Sequence, residues 1–129
     1  MKLFSAFAFL FIVTTSYGET GVITDGNSLA EGLRLFNRVE AHEKLTDTEM
    51  TSVAATVAYI DGFLDACRSW QLFPERPFQL PKEGLTERQF MKILEKALND
   101  HPDQLHKPAA VIVFVVLAGN FPKTSEQRN

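Results

Sequence analysis

One cysteine in 129 residues excludes any internal disulfide, so the fold must hold by packing and Cys67 has no partner within its own chain. Basic residues are outnumbered by acidic ones, 13 to 16, and are scattered among them. That excludes the clustered positive surface that nucleic-acid binding needs. Beyond residue 18 no apolar run reaches the roughly 20 residues of a membrane-spanning helix; Ala109–Ala118 has only ten. No glycine-rich elbow surrounds any serine, so a hydrolase nucleophile has no local signature.

What is present begins with a leader. Lys2 gives a positive start, Leu3 to Val13 is apolar except for Ser5, and Ser16-Tyr17-Gly18 offers small residues at a cleavage site. Residues 1–18 therefore read as a secretory signal peptide cut between Gly18 and Glu19, with no membrane association afterwards. The leader takes Phe4, Phe7, Phe9 and Phe11 with it, and its single charge, Lys2, moves the net charge from −3 to −4. Residues 19–123 suit one domain, and residues 124–129 form a polar tail. A lone cysteine is unusual for an exported chain, since the oxidising compartment favours disulfides.

The periodicity predicts an all-α bundle of about four helices. Gly26-Asn27-Ser28 opens the first, with Asn27 or Ser28 as its cap and Leu29, Leu33, Phe36 and Val39 at helical spacing. "LTDTEM" and "LTERQF" each join a capping box to a hydrophobic staple: Thr46 with Glu49 and Leu45 with Met50, then Thr86 with Gln89 and Leu85 with Phe90. From the first box a long helix runs to about Gln71, with Val53, Val57, Ile60, Leu64 and Cys67 on one stripe. Tyr59, Phe63 and Trp70 widen that stripe. Gly62 costs this helix stability and predicts close approach of another helix. Between the boxes Pro74, Pro77 and Pro81 stiffen a non-helical connection, longer than usual and suited to facing a partner. The β-branched run after Pro108 has no second strand to pair with, so it reads as a helix buried on nearly all sides, ended by Gly119-Asn120.

None of this supplies an active site. His101 and His106 lie five apart with Pro102 between them, a spacing that matches no metal site even with Asp103. The cluster reads instead as a junction that stops one helix, aims the next, and ties backbone groups with its imidazoles. Asp61 and Asp65 are one turn apart and could serve as acid and base, yet a solvated helix edge neutralised by Arg68 explains them as well. Cys67 on an apolar stripe reads as a small hydrophobe. Glu31, Arg34 and Arg38 read as an exposed helical face. No catalytic residue, metal or cofactor is expected.

Several motifs together resemble the Rap/Tai family of periplasmic immunity proteins. They are Tyr59-x-x-Gly62-x-x-Asp65, then the helix start Pro81-Lys82-Glu83-Gly84-Leu85-Thr86-Glu87-Arg88-Gln89. His101-Pro102 leading to His106-x-Pro108-Ala109-Ala110 follows, and Phe121-Pro122 closes the series. "GNSLAEGL" is similar to the family's opening helix. The resemblance implies a small all-helical immunity factor that binds and inhibits a peptidoglycan amidase toxin of type VI secretion, often as a homodimer. It also implies two cysteine pairs that this chain lacks, one falling at Leu80 and Lys123, the other near Leu33 and Thr56. A periplasmic stress chaperone or envelope-assembly factor is the competing expectation. For cleft inhibition the stiff segment Phe73–Lys82 is the candidate contact, through Phe73, Glu75, Arg76 and Phe78; the segment reads as well as a helix connection whose Phe73 and Phe78 merely cap the core. The alternative contact is the first helix around Arg34 and Arg38.

Overall fold

The computed structural model describes residues 21–123; the expected leader and polar tail lie outside them. Its helices are α1 (Gly26–Glu40), α2 (Asp47–Trp70), α3 (Glu87–Asp100) and α4 (Ala109–Asn120), with a short 3₁₀ turn at Pro102–Gln104. No strand occurs among the described residues, and the only extended pairing is an isolated bridge between Asp25 and Pro108. The run at Val111–Val116 is helical, as its lack of a pairing partner predicts.

Both expected capping boxes close. Thr46 accepts from the Glu49 N–H and Thr86 from the Gln89 N–H, while each N3 side chain returns to the cap residue's N–H. The cap of α1 differs from expectation. Asp25, in extended geometry, takes the Ser28 N–H at 2.9 Å, and Ser28 occupies N3 of a third box. Asn27 is diverted to the Leu105 carbonyl through its side chain, at 3.2 Å. The staples also part company. Leu85 and Phe90 are buried, but Met50 stays exposed. With 24 residues α2 is about 36 Å long at 1.5 Å per residue, so its ends overhang the shorter helices.

The core joins Leu29 and Leu33 of α1, Ile60 and Leu64 of α2, Phe90 and Leu94 of α3, and Val113 and Leu117 of α4. Gly32 provides the close approach between α1 and α2. A β-carbon there would sit 1.8 Å from the buried Thr56 Oγ1. Gly62, expected to do that work, is exposed with nothing within 4 Å of where a β-carbon would be. It lies on the outer face of α2, where helical spacing alone cannot distinguish solvent from a neighbouring helix. Gly62→Ala should therefore stabilise the protein by about 0.5–1 kcal/mol, because the only change is in helix propensity; a lower melting temperature would show that another surface covers this face.

The last helix is not buried all round either. Val111 and Val115 are 47% and 60% exposed, because three other helices cannot surround a fourth. The junction before α4 is tied by backbone rather than imidazole groups. The His101 N–H ends α3 on the Ala97 carbonyl, and the Lys107 and Leu105 carbonyls accept the free N–H groups of Gly26 and Asn27, each at 3.0 Å. Gly26 allows this approach, since a β-carbon would fall 2.8 Å from the Leu105 backbone. Among the described hydrogen bonds none involves the His101 or His106 ring, and both residues are exposed.

Candidate functional site

The long connection between α2 and α3 divides into an anchored base and a projecting tip. Phe78, Leu80 and Leu85 are buried. Phe78 meets Trp70 and Phe114 edge-on, with ring centroids 6.1 and 5.9 Å apart, the arrangement aromatic quadrupoles favour. Gln71 brackets the loop: its Oε1 accepts from the Leu80 N–H at 3.0 Å and its Nε2 reaches the Phe78 carbonyl at 3.4 Å. From the other side the Gln79 N–H donates to the Phe121 carbonyl at 2.9 Å and Lys123 Nζ to the Pro74 carbonyl at 2.8 Å. Where the resemblance implies a covalent bridge at Leu80 and Lys123, hydrogen bonds hold the same two segments together.

Against this fixed base the tip is open. Leu72 is 84% and Phe73 61% exposed, and Trp70 shows part of its ring. Single exposed apolar side chains are ordinary; here two large ones stand side by side on a loop fixed at its base. Phe73 and Glu75 lie on the outside, and Arg76 is half-buried. Phe78 does not belong with them. It is fully buried, and its place is the core, because the segment turns inward after Pro77. Leu72 was missed by the sequence reading, though its position between the end of a helix and Pro74 was a usable sign.

A further uncharged strip leads to the tip. Ala54, Ala58, Gly62 and Ala66 recur every four residues along α2, all exposed, and the row ends at Trp70. Helical geometry makes such residues neighbours.

The polar groups considered as catalysts are engaged elsewhere. Asp65 binds Arg68 at 2.5 Å, so it does not pair with Asp61. Asp61 instead meets Glu87 across the α2–α3 contact, where their shared hydrogen bond raises the Glu87 carboxyl above its ordinary range; both residues are half-buried. Arg34 holds Glu31 at 2.6 Å as the spacing suggested, but Arg38 crosses to Glu43 and Glu49, at 2.7 and 2.8 Å, and fastens the α1–α2 turn. Thr86 and Gln89 form a helix cap, and His101, Pro102 and Pro108 mark helix boundaries. Among the described residues no three His, Cys, Asp or Glu side chains converge as metal ligands would. Cys67 is buried, and desolvation pushes its thiol up to about 11. Only thiolates react readily, so Cys67 in the native protein should resist iodoacetamide at pH 8 and label fully in urea; rapid native labelling, followed by mass spectrometry, would contradict this placement.

The described residues thus define an all-α protein that carries an exposed apolar loop tip. The sequence model of the Rap1a immunity proteins matches residues 26–122. The chain belongs to this family of immunity proteins, a membership that implies binding of a cognate effector. No curated protein and no solved structure matches it significantly.

Proposed function

We propose that the protein is exported to the periplasm and neutralises a peptidoglycan amidase of type VI secretion by seating the Trp70–Arg76 tip in the enzyme's cleft. The observation that carries this reading is the tip itself: Leu72 and Phe73 exposed on a loop held at its base by Gln71, Gln79 and the Phe78 ring. A rigid projection has little ordering entropy left to lose on binding. Family membership supplies the effector-binding role, and no helix among the described residues is long and apolar enough to cross a membrane. A homodimer is part of the proposal on the strength of the resemblance, and sedimentation equilibrium of residues 19–129 tests it separately.

The experiment combines residues 19–129 with a type VI peptidoglycan amidase, sought first among the genes flanking this one, and follows cleavage of purified peptidoglycan. Stoichiometric inhibition is expected. Replacing Leu72 and Phe73 together by serine should weaken binding about 100-fold, the scale of an interface hot spot, with the melting temperature unchanged. Changing Glu75 and Arg76 to alanine should weaken it less. Wild-type protein that leaves the amidase active, while suppressing aggregation of unrelated envelope proteins, would favour the chaperone reading instead.

A further inference from the structure

Beside the apolar tip the same connection borders an open bay of about 440 Å³, where Arg68, Gln71, Arg76, Gln79 and Lys82 stand among the apolar walls of Leu80, Pro81 and Leu85. Among the described residues no acidic one lines it, although acids outnumber bases in the chain. Glu75 and Glu83 flank the segment without reaching the bay. Arg68 is already engaged by Asp65. Arg76 and Lys82 take part in none of the ion pairs among the described residues.

Arg76 is the unusual group. Its terminal nitrogens make only long contacts, 3.4 Å to the Phe73 carbonyl and 3.4 Å to Gln79 Oε1, at the weak end of hydrogen bonding. Its Nε is buried and has no hydrogen-bond partner among the described residues. A buried donor without an acceptor is costly, and native proteins rarely leave one. With Nε out of reach, the end of the guanidinium is the edge open to a ligand: its two terminal nitrogens, held only by those long contacts, present N–H groups that match the two oxygens of a carboxylate. A nearby ammonium adds attraction without further geometric demand.

We propose that this bay receives a carboxylate of the effector, an aspartate or glutamate side chain held by the end of the Arg76 guanidinium with Lys82 beside it. The inference rests on the immunity reading above and adds the chemistry of the contact. A protein carboxylate is favoured over a free anion because the bay adjoins the apolar tip, to which Arg76 is linked through the Phe73 carbonyl. The two features together fit an acidic residue at the edge of an apolar surface.

The first measurement is affinity for the amidase, by titration calorimetry at low and high salt. Arg76→Gln should weaken binding about tenfold or more, as loss of one partner in a desolvated charge pair does, and Lys82→Gln should chiefly reduce the salt dependence. Lys44→Gln, at an exposed position in the α1–α2 turn, should change neither. Unchanged affinity for Arg76→Gln overturns the proposal. The second measurement does not need the amidase. The Nε–H resonance of Arg76 is followed by NMR while a glutamate hexapeptide, or inorganic phosphate, is added to the wild-type chain. Saturable movement with the peptide, weakened in Lys82→Gln, supports the site even if the amidase is not the partner. No movement, or tighter response to phosphate, overturns it. Failure of the wild-type protein to bind the amidase would count against the proposed function alone.

Discussion

Gly32→Ala is expected to destabilise the protein by about 3 kcal/mol, at the upper end of the usual penalty for overpacking. The same substitution at Gly62 should stabilise it. In both cases alanine is the better helix former by up to about 1 kcal/mol, so propensity alone predicts the same sign twice. Packing reverses one of them. At Gly32 the new β-carbon would meet Thr56 Oγ1 at 1.8 Å and Thr56 Cβ at 2.9 Å, whereas at Gly62 it meets nothing. Thr56 cannot swing aside freely, because it is fully buried and its hydroxyl donates to the Ser52 carbonyl at 2.8 Å. Thr56→Ala in the Gly32→Ala background removes the closest atom and should restore more than half of the loss. The check is a double-mutant cycle by urea denaturation. Additive effects of the two changes would mean that α1 and α2 do not meet at this point.

The second large effect separates two phenylalanines of one loop. Phe78→Ala should cost about 3–5 kcal/mol, the range for emptying an aromatic site in a core. Phe73→Ala should stay within about 0.5 kcal/mol, as surface changes do. Trp70 is the only tryptophan and packs edge-on against both Phe78 and Phe114, with centroids 6.1 and 6.4 Å away. Its fluorescence therefore reports the change directly. Phe78→Ala should shift the emission to the red as water reaches the indole, while Phe73→Ala should leave it in place. Equal stability losses for the two variants would show that the tip is packed rather than open.

These contrasts separate what is encoded locally in the chain from what is not. The helix starts at Thr46 and Thr86 were legible because a capping box is local: cap, acid or amide, and the N–H groups they bind lie within four residues. The helical state of the run after Pro108 followed from the missing partner strand. The role of the histidine segment was half legible. Its prolines announce a break, but its carbonyls serve the start of α1, about 80 residues earlier in the chain, and no local pattern encodes that pairing. The candidate contact segment was also visible in outline, from three prolines in an unusually long connection. Which of its side chains face outward was not, since the loop has no periodicity from which a face can be read.

By itself the sequence determined the helical class, two of the four helix caps, the want of a disulfide and the family to which the chain belongs. Each depends on neighbouring residues, on composition or on an ordered set of motifs. Only the tertiary structure decided that Gly32 rather than Gly62 lies at a helix crossing, that Phe78 is core while Phe73 is surface, and that Arg76 and Lys82 line one bay. The physical reason is common to all three. Whether a helix face or a loop side chain is covered depends on segments distant in the chain, and packing and desolvation act through space.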